Sequence, residues 1–119
     1  MDAQDKDKVT FLNGVNYDSW KFRVTTILDE LNLLEFVERP LMEIVKEIEN
    51  LESDGKMRKK KIDTVLSNEK KCKAQIVMRI SDNQLEHVKD KLTSYDMWES
   101  LSRIFERKGM SSQLLLRKK

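Results

Sequence analysis

The sequence has 119 residues, of which 39% are hydrophobic, and its 23 basic and 21 acidic residues nearly cancel. This length suits one domain with a modest core, and the balanced charge argues against a surface devoted wholly to nucleic acid. Only three Gly and one Pro interrupt a composition rich in Leu, Lys, Glu and Ile, so we predict an all-α fold.

The N-terminal residues 1–10 are polar and mixed in charge, and we interpret them as a flexible arm. Phe11 and Leu12 are expected to make the first apolar contacts, and an Asn-Gly turn signal follows at Gly14. Apolar residues then recur at spacings of three and four and predict a first helix over residues 17–32: Trp20, Val24, Ile27, Leu28 and Leu31.

Two further elements are predicted around the single proline. A compact apolar cluster at residues 33–37 precedes Pro40 and predicts a short helical turn. A second amphipathic helix is predicted over residues 41–51, with an apolar stripe opposite its glutamates. Residues 53–55 are interpreted as the end of this helix, and the lysine-rich residues 56–61 as a charged connection.

A long helix is predicted over residues 62–80. Its middle, residues 67–71, is polar on all sides and is expected to be the most weakly packed part of the helix. Ser81 and Gln84 have the spacing of a capping box, which predicts a short helix carrying Leu85, Val88 and Leu92.

The last part of the chain carries a second capping box, formed by Thr93 and Asp96. It predicts a helix with an apolar set at Met97, Trp98, Leu101, Ile104 and Phe105. Gly109 is expected to end this helix, and a new helix is predicted to begin at Ser111.

Three stretches of the sequence together resemble one family. They are "LNGVNYDSWKFRVTTIL", "LTSYDMWESLSRIFERKG" and "SSQLLLRKK". The first has a hydrophobic residue, Gly, two residues, Tyr, two residues and Trp, and the second has a Thr-led cap followed by Trp, Leu and Phe. In this order they resemble the capsid region of Gag polyproteins from copia-type LTR retrotransposons. The resemblance covers about residues 11 to 119.

The resemblance implies a retroviral or retrotransposon capsid N-terminal domain, which is a compact bundle of about five to six short helices. It implies that residues 11–109 form this domain and pack against copies of themselves to build a shell around element RNA. The residues of the pattern are expected to be structural anchors: Gly14, Tyr17, Trp20, Trp98, Leu101 and Phe105.

The resemblance also suggests what residues 110–119 are. In the family this helix continues into a C-terminal capsid domain, so we interpret residues 110–119 as its truncated start, in a degenerate Gag or an excised domain. The sequence departs from the pattern in two places. A Trp that commonly opens the central helix is absent near Val65, and the charged stretch 43–61 is longer than usual.

The residues that could carry chemistry form no recognisable catalytic or metal-binding pattern, so we predict no enzymatic activity, cofactor, metal or small-molecule substrate. His87 is interpreted as an exposed helical residue and Cys72 as a small buried hydrophobe. The carboxylates between residues 43 and 54 are expected on a solvated helix face, without the spacing of a calcium loop. No signal-peptide core and no membrane-length apolar stretch are found, which predicts a cytoplasmic or nuclear protein without membrane contact.

Two features bear on nucleic acid. The basic run Lys56, Arg58, Lys59, Lys60 and Lys61 suits phosphate contacts, although a plain solvated connection is the favoured interpretation. Trp20 and Trp98 each lie in an apolar periodic set, which favours the core over a base-stacking platform. Trp20 is expected to pack against Leu28, Leu101 or Phe105.

The leading hypothesis is a structural self-association module that binds itself or full-length Gag and binds RNA weakly at most. One alternative is a nucleic-acid-binding domain that uses residues 56–61. The other is a domesticated Gag fragment that regulates or restricts a parent element. The mixed charge of Lys21, Arg23, Glu30 and Glu35 either sets the register between neighbouring subunits or keeps the domain soluble.

Overall fold

A computed structural model describes the backbone of residues 11–117 and the side chains of residues 11–106. The predicted arm at residues 1–10 lies outside the described residues. The elements in chain order are α1 (Tyr17–Glu30), α2 (Glu35–Glu38), α3 (Leu41–Leu51), α4 (Gly55–Val77), a 3-10 helix (Asp82–His87) and α5 (Ser94–Arg117). The predicted all-α fold class is confirmed.

One continuous core joins the helices. Helix α1 contributes Trp20, Val24 and Leu28, which share one face and are almost fully buried. Helix α1 packs on α4, α4 on α5, α2 on α5 and α3 on α4. The other buried apolar residues of this core are Leu12, Tyr17, Leu33, Phe36, Val37, Ile44, Cys72, Ile76, Ile80, Val88, Met97, Trp98, Leu101 and Phe105. Each large side chain buried in this way stabilises the fold by about 1.5–3 kcal/mol.

The N-terminal segment is tied to the end of α4 by backbone hydrogen bonds. The N–H of Leu12 donates to the carbonyl of Arg79 at 2.9 Å, and the N–H of Ser81 donates to the carbonyl of Leu12 at 3.1 Å. The indole N–H of Trp20 donates to the same Arg79 carbonyl at 2.7 Å. Leu12 is fully buried, whereas Phe11 is exposed, so Leu12 alone of the expected pair contributes to the core.

The start of α4 differs from the prediction. The helix begins at Gly55, so residues 56–61 are not a connection but its first two turns. Asp54 caps it, because a carboxylate oxygen of Asp54 accepts a hydrogen bond from the N–H of Lys56 at 3.1 Å. Residues 53–55, predicted to be the end of the preceding helix, therefore contain the N-cap and the first residue of α4. Lysine and arginine are good helix formers, so a capped lysine-rich run continues readily as a helix.

In the middle of α4, Ser67, Lys70 and Lys71 are exposed, in keeping with the predicted weak packing, but Glu69 is an exception. Glu69 is only 6% exposed, and its carboxylate accepts a hydrogen bond from the N–H of Ser94 at 2.7 Å. Ser94 is the first residue of α5, where free N–H groups and the helix dipole favour a negative charge. A polar stretch therefore holds a buried contact between two helices.

The capping box at Ser81 does not form. The hydroxyl of Ser81 donates to the carbonyl of Leu12, and the segment that follows is a 3-10 helix rather than an α-helix. Val88 is buried, but Leu92, which was predicted to belong to the same apolar set, is 82% exposed. The Ser81 hydroxyl serves the long-range contact with Leu12 and leaves the following turn without a side-chain cap.

The capping box at Thr93 is partly confirmed, because the Thr93 hydroxyl accepts a hydrogen bond from the N–H of Asp96 at 3.2 Å. The helix that follows continues through Gly109 to Arg117. The predicted end at Gly109 and the predicted new start at Ser111 are therefore wrong. A glycine inside a helix costs only about 1 kcal/mol relative to alanine, which favourable neighbours outweigh.

Candidate functional site

Five of the six predicted anchors lie together in one aromatic cluster. The rings of Trp20 and Trp98 stack at 5.6 Å, those of Tyr17 and Phe105 at 5.3 Å, and those of Tyr17 and Trp20 at 6.2 Å. Leu101 belongs to the same buried group. Trp20 is 1% exposed and Trp98 is 9% exposed, so neither ring offers an open face to a nucleotide base. The ring partners of Trp20 are Trp98 and Tyr17, which the sequence did not indicate.

The sixth predicted anchor, Gly14, lies in the turn before α1. Its φ of 99° is in the left-handed region that glycine tolerates best. A Cβ at this position would lie 3.1 Å from the side-chain nitrogen of Gln84 in the 3-10 helix. The position therefore favours glycine both for its backbone conformation and for its close approach to a neighbouring side chain.

The polar edge of the aromatic cluster is organised by Glu106, which sequence reasoning missed. Its carboxylate accepts hydrogen bonds from the Tyr17 hydroxyl at 2.8 Å and from Ser102 at 3.3 Å, and it pairs with the ammonium of Lys21. The hydrogen bond from Lys21 holds the pKa of Glu106 below its ordinary value. Burial raises the pKa of Tyr17, so the phenol stays protonated as a donor. Lys21 is therefore part of the fold rather than a free surface charge.

The prediction that the single histidine, His87, is an exposed helical residue is wrong. His87 is half-buried at the end of the 3-10 helix, and its ring packs edge-on against Phe105 with ring centroids 5.9 Å apart. The ring Nε2 lies 3.1 Å from the amide oxygen of Gln84, and the backbone carbonyl of His87 accepts from Ser100 at 2.8 Å. These contacts pack and orient the His87 ring and fix its backbone, so the residue has a structural role.

Cys72 is a buried hydrophobe, as predicted. It is fully buried in α4, and its thiol points to the carbonyl of Leu33 at 3.6 Å. Burial raises the pKa of Cys72 to about 11. Because the thiolate is the reactive form, this thiol is poorly suited to nucleophilic chemistry.

The carboxylates of α3 are exposed, as predicted, and two of them, Glu43 and Glu47, form ion pairs. Arg39, at the junction of α2 and α3, contacts Glu35 at 2.7 Å, Glu43 at 3.0 Å and Glu47 at 3.1 Å. Hydrogen bonds to Glu43, Glu47 and Glu35 raise the pKa of Arg39 above its ordinary value. Within the part of the chain that the structure describes, no group of three His, Cys, Asp or Glu side chains is arranged to hold a metal ion.

The predicted basic run lies on the first two turns of α4, and most of it serves the fold. Arg58 donates to the carbonyls of Glu52 and Ser53 at 3.2 and 3.3 Å, which satisfies the end of α3. Lys61 pairs with Glu52 at 2.7 Å, and Lys59 pairs with Asp63 at 3.3 Å.

Two members of the run remain available for a partner. Lys56 and Lys60 are exposed and form no ion pair with another described residue. Lys60 also borders a shallow groove between α3 and α4, whose apolar part is formed by Ile48, Met57 and Val65. The basic patch is thus smaller than the five residues that the sequence suggested.

Among the described residues, no helix combines the length and the apolar character that crossing a membrane requires.

The fold and the side-chain contacts together define the class of protein to which the chain belongs. The described chain is a small helical domain whose buried polar groups hold its own helices together and which has exposed apolar side chains on α1, α3 and α4. Residues 24–119 match the model of the family described as gag-polypeptide of LTR copia-type. The chain belongs to this family, which confirms the resemblance inferred from its three stretches. No solved structure matches the chain.

Proposed function

We propose that this chain is a structural module of a copia-type Gag that associates with copies of itself, contributes to the shell around element RNA, and acts by binding rather than by catalysis. The observation that carries this proposal is the family match over residues 24–119. The all-helical domain with its own core supports it, because such a unit presents a fixed outer surface to its neighbours.

Exposed apolar side chains give the association a driving force. Phe22 on α1 is 75% exposed, and Met42 and Leu51 on α3 are 61% and 79% exposed. Removing such surface from water is worth roughly 25 cal/mol per Å² of apolar area, before the costs of association are subtracted.

Sedimentation velocity of the purified chain over a wide concentration range, with negative-stain microscopy of the same samples, tests the proposal. We expect reversible association that grows with concentration. A chain that remains monomeric up to about millimolar concentration, where even weak contacts of about 4 kcal/mol populate a dimer, overturns it.

A second candidate function is direct contact with RNA through Lys56 and Lys60. The observation that favours it is the placement of five cations in the first two turns of α4, where the helix dipole disfavours positive charge. Lys56 and Lys60 are not used by the described fold and would meet phosphate groups at the N-terminal end of α4, where the helix dipole favours an anion.

Fluorescence anisotropy with a single-stranded RNA tests this second function. Lys56→Glu with Lys60→Glu should weaken binding and lower the slope of log affinity against log salt by roughly one per lysine. The matched control is Lys70→Glu with Lys71→Glu, which changes the same charge at exposed positions of the same helix. Equal losses in the two double variants would mean that only net charge matters and that the start of α4 is not a site.

A further inference from the structure

We propose that the groove between α3 and α4 receives the C-terminal end of α1 from a second copy of the chain, so that each copy docks on the next in a head-to-tail contact. The inference rests on the proposed self-association and names the two surfaces that carry it. It follows from the apolar lining of the groove, from the cations on its rim and from the opposite charge at the end of α1.

The groove has an apolar lining. Ile48 of α3 and Val65 of α4 are half-buried in it, and Met57 of α4 is 42% exposed beside them. Its volume is about 390 Å³, near the lower end of the roughly 300–1,000 Å³ of pockets that hold a small ligand. The groove therefore suits one or a few apolar side chains of a partner, and the unbranched methionine lets the lining adjust to their shape.

The rim of the groove is positively charged. Lys60 and Lys61 border it, and Lys56 lies one helical turn before Lys60 on α4. Lys61 is held by Glu52 at 2.7 Å, whereas Lys56 and Lys60 form no ion pair with another described residue. A partner segment that carries an exposed apolar side chain next to carboxylates therefore matches both properties of the groove.

The C-terminal end of α1 has this chemistry. Asp29 and Glu30 are the last two residues of the helix, and Leu31, which follows them, is 45% exposed. Both carboxylates are exposed, and neither forms an ion pair with another described residue. The end of α1 thus presents an apolar side chain together with two negative charges that the described fold does not use.

Neither group of charges is placed to stabilise its own helix. The last turn of α1 carries Asp29 and Glu30 and no basic residue, although the C-terminal end of a helix dipole favours cations. The first turn of α4 has no acidic residue, although the N-terminal end of a helix dipole favours anions. Contact between the two surfaces brings each group of charges next to the opposite charge and to a dipole end that favours it.

The groove and the end of α1 lie apart within one chain. The carbonyl of Leu33, just after α1, faces the thiol of Cys72, which is 12 residues further along α4 than Lys60. This length of helix spans roughly 18 Å, so a second copy has to supply the α1 end. Because the contact joins two different surfaces, each copy both docks and receives, and association continues beyond a dimer.

Sedimentation velocity of charge-reversal variants tests the contact. Lys56→Glu with Lys60→Glu reverses the charge of the groove rim, and Asp29→Lys with Glu30→Lys reverses that of the α1 end. Each double variant alone should associate about tenfold more weakly than the wild type, because like charges then face each other. Neither set of changes opposes a helix dipole, so the fold should be retained, which far-UV circular dichroism checks.

Mixing the two double variants gives the sharpest result. In an equimolar mixture, the acidic α1 end of one variant meets the basic groove of the other, and the basic α1 end meets the acidic groove. Association should return to within about threefold of the wild type. A mixture that associates as weakly as its components overturns the contact.

Two double variants serve as matched controls for net charge. Lys70→Glu with Lys71→Glu makes the same change further along α4, and Asp82→Lys with Glu86→Lys makes the opposite change on the 3-10 helix. All four positions are exposed. Each control should alter association by less than about threefold. Losses equal to those of the contact variants would show that net charge alone governs association, and would overturn the contact.

The apolar part of the contact has a separate test. Leu31→Gln should weaken association by about tenfold, because it removes the apolar side chain without changing the charge. Leu92→Gln, the same change at a position that is 82% exposed, is the control. Thr64→Trp should fill the groove and give a loss similar to that of Leu31→Gln. If Leu31→Gln and Thr64→Trp both associate like the wild type, the groove is not the docking site.

The variant that carries all four charge changes distinguishes this contact from RNA binding at the same lysines. Its groove rim is acidic and its α1 end is basic, so it should associate with itself like the wild type. Phosphate contacts through Lys56 and Lys60 would be lost in this variant. Association of the wild type that ribonuclease abolishes would mean that nucleic acid, and not the α1 end, occupies the groove.

The outcomes separate this inference from the proposed function. If the wild type associates and both charge-reversal variants associate equally well, the contact is wrong and self-association stands. If the wild type does not associate at all, the proposed function fails together with this inference.

Discussion

Glu69 in the middle of α4 accepts a hydrogen bond from the backbone N–H of Ser94, the first residue of α5 and 25 positions further along the chain, and so joins the two helices. The Ser94 hydroxyl also approaches the backbone carbonyl of Glu69 at 3.5 Å. The second carboxylate oxygen of Glu69 is buried and has no hydrogen-bond partner among the described residues. Desolvation raises the pKa of Glu69 above its ordinary value of 4.5.

Two substitutions of Glu69 distinguish the stabilisation that comes from this hydrogen bond from the free-energy cost of burying a charge. Glu69→Ala leaves the Ser94 N–H without its acceptor and should cost about 1–3 kcal/mol in the free energy of unfolding. Glu69→Gln keeps an acceptor and removes the charge, so its loss should be smaller. Urea denaturation measures both, with the exposed Glu99→Gln as control.

The raised pKa of Glu69 also predicts a pH dependence. The folded protein holds the Glu69 proton more tightly than the unfolded chain, so the contribution of Glu69 to stability is largest below pH 4.5 and falls as the pH rises through its raised folded pKa. The difference in stability between Glu69→Gln and the wild type should therefore shift in favour of the variant between about pH 4 and about pH 7. An unchanged difference over this range would show that the carboxylate is better solvated than its burial indicates.

Glu106 should have the opposite pH dependence. Its pKa is lowered, first by the hydrogen bond from Lys21, so its stabilising contribution is present above pH 4.5 and is lost as the pH falls through the lowered folded value. Glu106→Gln should be less stable than the wild type at neutral pH and should converge with it in acid. Tyr17→Phe, which removes one donor to the same carboxylate, should reduce part of this dependence. Parallel acid titrations followed by circular dichroism measure all three proteins.

Trp20 should be among the most costly single truncations in the described chain. Its ring is buried against Trp98 and Tyr17, and its N–H is bonded to Arg79, so Trp20→Ala should destabilise the fold by about 3–5 kcal/mol. Phe22→Ala, on the exposed face of the same helix, should change the stability of the monomer by less than about 0.5 kcal/mol. If Trp20→Ala lowered the free energy of unfolding in urea by less than about 1 kcal/mol, Trp20 would not be an anchor of the fold.

The start of α4 at Gly55 can be verified through its cap. Asp54→Ala should cost about 0.5–2 kcal/mol, because the N–H of Lys56 loses its side-chain acceptor. Ser53→Ala should be nearly neutral, since only the backbone carbonyl of Ser53 is used, by Arg58. If the two substitutions had equal effects in thermal unfolding, Asp54 would not be the cap.

The sequence predicted those elements whose residues are periodic and locally capped. Helix α1 and helix α3 were located because a buried face repeats every three or four residues, and Thr93 was recognised because its cap partner is three residues away. The start of α4 was missed because composition alone does not distinguish a lysine-rich helix from a lysine-rich loop.

The polar contacts between helices, and the charges that remain unpaired on the surface, were harder to predict for a different reason. Glu69 and Glu106 bond to residues 25 to 89 positions away, and no local spacing signals such contacts. The basic run was overestimated because three of its five charges are used by carbonyls and carboxylates that only the fold brings close. The mixed charge on the first helix was noticed, but only the fold separated the bonded Lys21 from Arg23, which forms no ion pair with another described residue.

The attachment of Leu12 to the end of α4 gives the domain a mechanical property. Leu12 forms hydrogen bonds through its N–H to the carbonyl of Arg79 and through its carbonyl to the N–H of Ser81. The indole N–H of Trp20 donates to the same Arg79 carbonyl. A pulling force applied through the chain preceding Leu12 would have to shear these bonds together before it could unwind α1. Tension applied to the chain before Leu12 would therefore act on the centre of the core before it could unfold the first helix.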